Sequence, residues 1–135
     1  MPRRKSVTLM EMLVVIIIIG VLAALALPNF GPFKEKTLER EAKASLSLVR
    51  AAEKIYRMEN SFYCPDSGSS PILTSAINTN LKLSLLEGTS KNWDYKIVST
   101  GANNFSARAK RVTDPTKVWC ITDATEDPYT AACVY

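Results

Sequence analysis

The chain has 135 residues, enough for one small domain with an attached segment, and it contains no histidine. Histidine is the commonest general base and a frequent metal ligand, and the sequence also has no serine-hydrolase or phosphate-loop motif, so it predicts no catalytic residues and no cofactor. Three basic residues at positions 3 to 5 supply most of the net charge of +4, and this gives no indication of nucleic-acid binding.

The first feature along the chain is an apolar run from Val7 to Leu27. From Met12 onward, none of its side chains is charged or polar. As a helix, this run would extend about 31 Å, which matches the hydrocarbon core of a bilayer. Because basic residues precede it, the positive-inside rule predicts a cytoplasmic N-terminus and an exported C-terminal part.

Three interpretations of this run remain open. It could be a cleaved secretory signal, since Ala24-Leu25-Ala26 fits an A-x-A site, or a plain membrane anchor. It could also be a helix that starts in the membrane and later packs against copies of itself. Glu11 favours the third, because a carboxylate in a membrane helix costs on the order of 2.5–3.5 kcal/mol near the centre and less near an end. A Glu11 that is simply solvated at the interface is the alternative.

The segment SVTLMEMLVVIIIIGVLAALALP resembles the N-terminal segment of type IV pilins and of the related pseudopilins of type II secretion. The resemblance implies cleavage between Ser6 and Val7, methylation of the new amine of Val7, and Glu11 as the fifth mature residue. Gly20 and Pro28 fall on the helix-weakening positions of the family. The family almost always has Gly before the cut, so Ser6 is a departure that predicts slower cleavage.

The resemblance also implies a role for Glu11, which in assembled filaments would pair with the amine of Val7 on a neighbouring subunit. Such a pair gives a buried carboxylate the opposite charge that it requires. The implied partners are further copies or other pilins, a prepilin peptidase and N-methyltransferase, an inner-membrane assembly platform, and the lipid bilayer before assembly. The alternatives are a pseudopilin of a type II secretion system, or a secreted or anchored binding domain with an ordinary signal sequence.

The expected organisation has four parts. Residues 1–6 form a basic leader, residues 7–27 a transmembrane and filament-core helix, residues 28–33 a flexible join rich in Pro and Gly, and residues 34–135 a globular domain. Proline lacks an N–H and clashes with the preceding turn, so the helix should bend or break at the join. The expected location is a single pass through the cytoplasmic membrane, followed by an extracellular or periplasmic filament.

The join is followed by an amphipathic helix that the sequence predicts to end at Glu59. Apolar residues recur at intervals of three and four, which marks one buried helical face: Leu38, Ala42, Leu46, Val49, Ala52 and Tyr56. Charged residues occupy the other face, where Glu39 with Lys43 and Glu53 with Arg57 are spaced as favourable i,i+4 pairs. A helix continuous from Val7 to Glu59 would be about 80 Å long.

The rest of the chain predicts a surface loop, a short helix between residues 72 and 86, and three strands. The strand candidates Trp93–Val98, Phe105–Ala109 and Lys117–Thr122 are separated by turn-like links. Sequential strands with short links suggest an antiparallel meander. The long helix would cover its apolar face, giving an α+β fold with a small sheet of about three strands.

The three cysteines allow three disulfide pairings, and the sequence does not choose among them. If the domain is exported, a disulfide is permitted, and Cys120 with Cys133 is the expected pair because these residues are close in sequence. That bridge would close a loop of about 14 residues and contribute roughly 3 kcal/mol. Cys64 would then be unpaired.

An acidic loop near the C-terminus contains Asp123, Glu126 and Asp127, whose oxygens could hold calcium. The major pseudopilins carry a calcium site in a C-terminal loop, which is why the resemblance draws attention to these residues. Their spacing matches no calcium motif, so a solvated loop is expected and no metal site is assigned.

Overall fold

The computed structural model describes residues 7–26, 30–65, 70–101, 103–131 and 133. The chain divides into two compact units, Met1–Lys34 and Glu35–Tyr135. The predicted leader with Ser6, and Pro28 in the predicted join, lie outside the described residues.

The first unit contains helix α1, Leu9–Ala26. The predicted helix began two residues earlier, at Val7, and its last residue, Leu27, lies outside the described residues. Every residue of α1 whose burial is described is exposed. Among the helices of the described residues, none has the combination of length and hydropathy expected of a membrane span.

Helix α2 runs from Phe30 to Asn60, so it begins inside the segment predicted to be a join. Gly31 and Pro32 lie in its first turn. Proline is tolerated there because the first N–H groups of a helix have no intrahelical acceptor. The proline-glycine cluster therefore marks the start of a helix at these two residues, rather than a link that continues to residue 33.

The predicted apolar face of α2 forms one side of the domain core. Five of its six predicted residues are buried and Tyr56 is half-buried against the same cluster. The indole N–H of Trp93 donates to the carbonyl oxygen of Leu38 at 3.0 Å, which ties the helix to the sheet. This arrangement confirms the predicted α+β class, with the long helix packed on an antiparallel sheet.

The sheet has four strands in sequential order: β1 Ile72–Leu73, β2 Trp93–Gly101, β3 Asn104–Arg111 and β4 Val118–Thr122. All neighbouring strands are antiparallel, which confirms the predicted meander. Ile97 lies opposite Ala107, and Ala107 lies opposite Ile121, so one row of core side chains crosses three strands. The three predicted strands are all present and correspond to β2, β3 and β4.

The additional strand, β1, has two residues and pairs with β2 at Ile97 and Lys96. Helix α3, Thr74–Leu81, follows it and lies within the stretch predicted to hold a short helix. The Asn78 side chain fixes the segment after α3, because its amide donates to the Leu85 carbonyl at 2.9 Å and accepts from the Leu85 N–H at 2.8 Å.

The two predicted ion pairs of α2 are wrong in the described structure. Glu53 is buried on the core side of the helix, while Arg57 donates to the Tyr63 hydroxyl at 3.1 Å. The ammonium of Lys43 lies 4.2 Å from the ring centroid of Trp119. Contacts with the sheet and the following loop outcompete the local pairs because an exposed i,i+4 pair contributes only about 0.2–0.5 kcal/mol.

Candidate functional site

The N-terminal end of α1 carries an N-cap. The Glu11 N–H donates to the Thr8 side-chain oxygen at 3.3 Å and to the Thr8 carbonyl at 3.1 Å. Thr8 thus satisfies one of the donors that a helix leaves open at its start. Glu11 occupies the third helical position, where a carboxylate also interacts favourably with the positive end of the helix dipole.

The N-cap helps to explain why the Glu11 carboxylate is tolerated in the first turn of α1. Thr8 and Glu11 have the T-x-x-E spacing of a capping box, so both residues suit the first turn of a helix. Glu11 is also the single charged residue of α1, and it lies at the end rather than in the middle of the apolar run. The local helix start explains where the carboxylate sits, but it supplies no cation for it.

The surface of α1 is apolar on all sides. Large apolar side chains with exposed fractions from 41% to 84% occur at consecutive positions, including the run Ile16 to Ile19. A Cβ placed on Gly20 would meet no atom within 4 Å. A helix of this kind needs an apolar environment around its whole circumference, which a bilayer or a bundle of helices provides.

The structure describes only some of the site residues predicted in the N-terminal segment. Val7 is 56% exposed and directly precedes the Thr8 cap, so its amine would lie within one turn of the Glu11 backbone if the chain were cut before it. Ser6 and Pro28 lie outside the described residues.

A second group of polar residues lies in the domain core and was not predicted. Glu53 is fully buried, and one of its carboxylate oxygens accepts from the Cys64 N–H at 2.9 Å. The other oxygen has no hydrogen-bond partner among the described residues. Burial raises the pKa of Glu53 to about 7, against the opposing effect of the Cys64 N–H. The sequence did contain a signal for this burial: Glu53 follows Val49 by four residues and Leu46 by seven, which places it on the buried face of α2.

The thiol beside Glu53 is buried as well. Burial raises the pKa of Cys64 to about 11, the nearby Glu53 adds to the rise, and a hydrogen bond from Asn80 opposes it. A thiol with a raised pKa is largely protonated at neutral pH and is a poor nucleophile. The chemistry of this pair is therefore that of a buried acid and an inert thiol.

Cys120 and Cys133 are joined by a disulfide, with their Cα atoms 5.9 Å apart. The backbone of Cys120 also exchanges two hydrogen bonds with Tyr129, at 2.8 and 2.9 Å. The C-terminal segment therefore lies along β4, which is an edge strand of the sheet. Covering the edge in this way limits pairing with other chains.

The carboxylates of the acidic loop, at Asp123, Glu126 and Asp127, do not converge on a common point where they could bind a metal ion. Within the described part of the chain, no group of three acidic, Cys or His residues could hold a metal ion. Glu126 and Asp127 are exposed, and the backbone carbonyl of Asp123 accepts from Arg50 at 3.4 Å. A hydrogen bond of 2.9 Å from the Thr122 N–H to the Thr125 hydroxyl gives this loop its turn. The weak calcium candidate is thus not supported by the arrangement of these side chains.

Comparison with known proteins gives one family model, the prokaryotic N-terminal methylation motif, which matches residues 1–27. The chain is 40% identical over 62 residues to the type IV major pilin protein PilA of Myxococcus xanthus, a match covering 46% of this chain and 28% of that protein. It is 40% identical over 63 residues to the type II secretion system core protein G of Klebsiella pneumoniae, covering 47% of this chain and 45% of that protein.

The core protein G of Vibrio cholerae is 32% identical over 79 residues, or 58% of this chain and 54% of that protein. The chain thus matches between about a quarter and about half of the length of these relatives. No solved structure gives a significant match. The matches confirm the resemblance to type IV pilins and type II secretion pseudopilins that the N-terminal segment indicated.

Proposed function

We propose that this chain is a structural subunit of a type IV pilus-like filament, made as a membrane-inserted prepilin and polymerised through its N-terminal helix. One observation carries the proposal. The match to the N-terminal methylation motif contains an exposed helix that is apolar on all sides and has one charged residue, Glu11, in its first turn. Such a helix requires an apolar environment, first from lipid and then from other helices.

The proposed precursor is processed at its N-terminus. A prepilin peptidase cleaves between Ser6 and Val7, and an N-methyltransferase modifies the amine of Val7. The chain is then a substrate of these enzymes rather than an enzyme itself. Serine is small enough to take the place of the usual glycine before the cut, although we expect slower cleavage.

The proposed subunit is anchored by one pass through the cytoplasmic membrane, formed by residues 7–27, with the leader at residues 1–6 inside. The globular domain from residue 34 lies outside, and Gly20 and Pro28 are weak points that let the helix bend. The Cys120–Cys133 disulfide is consistent with this orientation, because disulfides persist in oxidising compartments.

In the proposed filament, Glu11 pairs with the Val7 amine of a neighbouring subunit. In the described structure, Glu11 has a helix cap at its backbone and no ion pair at its side chain. Moving an unpaired carboxylate into an apolar bundle is costly, and an opposite charge at hydrogen-bonding distance offsets that cost. The neighbouring amine is a cation that subunits of this kind would bring with them, and an inner-membrane assembly platform would add each subunit.

A second candidate function is that of a pseudopilin in a type II secretion system. The core protein G of Vibrio cholerae favours it, since its match covers 58% of this chain, against 46% for the match to PilA. Both candidates use the same N-terminal segment and differ in the system that the filament serves.

One experiment tests both candidates. Cells are sheared, and the chain is measured in the released surface filaments and in the membrane, beside a strain that lacks its gene. The pilus proposal expects the chain in sheared filaments, and the pseudopilin proposal expects loss of secreted proteins in the deletion strain without surface filaments. A chain found only in the soluble secreted fraction, cut after Ala26, would contradict both and indicate an ordinary signal sequence.

A further inference from the structure

Most of the positive charge of α2 lies on one line along the helix. Six of its seven Lys and Arg residues recur at intervals of three and four, with Ser47 at the one uncharged position. They form what we call the basic row: Lys36, Arg40, Lys43, Arg50, Lys54 and Arg57. Because side chains at such intervals share a helical face, the row is continuous and extends about 32 Å.

The basic row is not neutralised within the described part of the domain. None of its members makes an ion pair with a described carboxylate. Three of the five acidic residues of α2 are engaged elsewhere. Glu35 pairs with cations near the sheet, Glu41 accepts from the Asn92 amide at 2.9 Å, and Glu53 is buried. Like charges at these intervals destabilise a helix, so the stability of α2 does not explain the row.

Half of the basic row is held in place by neutral groups. The Lys43 ammonium lies 4.2 Å from the ring centroid of Trp119, and Arg57 donates to the Tyr63 hydroxyl at 3.1 Å. Arg50 donates to a backbone carbonyl at 3.4 Å. A neutral partner fixes the direction of a cation without cancelling its charge. Less side-chain freedom is then lost when an anion binds.

The other three members of the basic row are exposed to solvent: Lys36, Arg40 and Lys54. The loop after β4, which contains Glu126 and Asp127, lies beside the middle of the row, since Arg50 donates to the carbonyl of Asp123. The carboxylates of this loop oppose an anionic ligand near Arg50. The two ends of the row should therefore contribute most to binding.

The shape of the basic row limits which anion can neutralise it. The row is straight and one residue wide, so it matches negative charges that repeat along a line. A membrane presents headgroups across a plane, where they would also meet the acidic loop. The backbone of a double helix curves away from a straight line of this length. Single-stranded nucleic acid carries one phosphate per nucleotide and is flexible enough to follow the row. The planar guanidinium of arginine, which occurs at three of the six positions, suits phosphate.

We propose that the basic row of α2 binds the phosphate backbone of single-stranded nucleic acid. The proposal goes beyond the filament function and does not depend on it, because one isolated chain carries the whole row. Contacts to phosphates carry no sequence information, so binding is independent of base sequence. The net charge of +4 gave no indication of this surface, since acidic residues elsewhere in the chain balance the row.

The first test measures the fluorescence anisotropy of a labelled oligothymidylate of about twelve nucleotides, titrated with the full-length chain in uncharged detergent micelles. With about six phosphate contacts, the logarithm of the association constant should fall against the logarithm of salt with a slope of about −4. This slope corresponds to a loss of about 300-fold between roughly 50 and 200 mM salt. No binding at the lower salt concentration, or a slope near zero, would overturn the proposal.

The second test removes one charge at a time. Lys36→Gln and Lys54→Gln lie at opposite ends of the basic row, and each should reduce the size of the slope by about 0.7. Lys82→Gln is the matched control, because it removes the same charge from an exposed position outside α2. The Cys120–Cys133 disulfide reports folding in each variant. An equal reduction from Lys82→Gln would show that binding follows net charge alone and would overturn the proposal.

The third test compares anions of different shape with the same variants. The competitors are a DNA duplex, polygalacturonate, and vesicles that contain phosphatidylglycerol, each at equal concentration of negative charge. We expect the oligothymidylate to bind at least several-fold more tightly than each of them. Tighter binding of any competitor, weakened by Lys36→Gln and Lys54→Gln, would identify that anion as the ligand of the row and overturn the assignment to single-stranded nucleic acid.

Discussion

Glu53 in α2 accepts a hydrogen bond from the backbone N–H of Cys64 at 2.9 Å, and this is the one hydrogen bond that its carboxyl group makes within the described residues. The contact fixes the segment after α2, where Tyr63 packs at 4.8 Å between ring centroids against Phe105 of the sheet. A carboxyl group with one donor and no cation beside it is better accommodated in its neutral form. The stability of the domain should therefore depend on the protonation of Glu53.

The first prediction concerns pH. The pKa of Glu53 rises from 4.5 to about 7 on folding because of burial. Between these values the folded state holds a proton that the unfolded state has lost. The stabilisation is thus complete below pH 4.5 and is lost as the pH rises through 7, a change of about 3 kcal/mol. Urea unfolding of the full chain in detergent micelles, at pH 5 and at pH 8, measures it.

Matched variants isolate this contribution. Glu53→Gln keeps an oxygen for the Cys64 N–H but cannot ionise, so it should flatten the dependence of unfolding free energy on pH. Glu59→Gln changes an exposed carboxyl group of the same helix and should leave the dependence as it is. If Glu53→Gln behaved like Glu59→Gln, the buried carboxyl would not be the source of the effect.

The second prediction has the opposite sign. Glu35 at the start of the domain accepts from Lys117 and, at 2.9 Å, from Arg111. The hydrogen bond from Lys117 is the main reason why its pKa lies below 4.5. Its stabilising contribution is therefore present above pH 4.5 and is lost as the pH falls through the lowered pKa. Glu35→Gln should reduce the acid sensitivity of unfolding below pH 4.5 and leave the range from 5 to 8 unchanged, as urea titrations at pH 3 and pH 6 would reveal.

The third prediction concerns the cysteines. Cys120 and Cys133 close a loop, so the double variant Cys120→Ser with Cys133→Ser should lower the unfolding free energy by roughly 3 kcal/mol. Cys64 is buried with a pKa of about 11, so it should resist alkylation at pH 8 until the chain is unfolded. Urea unfolding measures the first effect. Peptide mapping without reduction, after alkylation, checks the pairing and the state of Cys64. A peptide joining Cys64 to either of the other cysteines would contradict the assignment.

The parts of the fold that the sequence predicted are those with a long regular pattern. The three-four spacing from Leu38 to Tyr56 predicted the buried face of α2, and alternation predicted strands β2 to β4. Strand β1 was missed because a strand of two residues is too short to show the alternation of apolar and polar side chains. Its extended conformation comes from pairing with β2. For the disulfide, the sequence allowed three pairings and made Cys120 with Cys133 the expected one, which is the pair in the structure. The backbone hydrogen bonds between Cys120 and Tyr129, which bring the C-terminal segment beside β4, left no signal in the sequence.

Glu53 illustrates why the rest was missed. Its position falls on the core side of α2, yet a glutamate is rarely buried, and Arg57 four residues later offered a local partner. In the structure, Arg57 instead donates hydrogen bonds to the side chains of Tyr63 and Asn103. Glu53 accepts one from the backbone N–H of Cys64, eleven positions along the chain. A contact made by a loop folding back over a helix leaves no periodic signal in the sequence.

The fourth prediction concerns Glu11. Glu11→Ala and Glu11→Gln should leave the Thr8 cap in place, because the cap uses the backbone N–H of residue 11. Membrane insertion and the folded domain should therefore persist, while filament yield should fall because the proposed pair with a neighbouring amine can no longer form. Glu11→Asp retains the charge and should retain more assembly than either. The assay is the amount of sheared filament relative to the membrane pool of subunit.

Two results would bear against this role. Normal filaments from Glu11→Gln at normal subunit levels would show that the charge has no role in assembly. Glu11 would then be interpreted as a solvated carboxylate at the membrane interface. A loss of subunit from the membrane pool in Glu11→Ala would place its effect before assembly, in insertion or processing. Slower methylation in the same variants is expected if the methyltransferase recognises the carboxylate.

The intact mass of the subunit, isolated from sheared filaments or membranes, is the decisive measurement for processing as a prepilin. We expect a chain that begins at Val7, carries a methyl group on its amine, and is two mass units lighter than the reduced form because of one disulfide. Ser6→Gly should raise the fraction that is cut. A mature chain that begins at Leu27, after the Ala24-Leu25-Ala26 sequence, would show a conventional signal peptide and contradict the filament account.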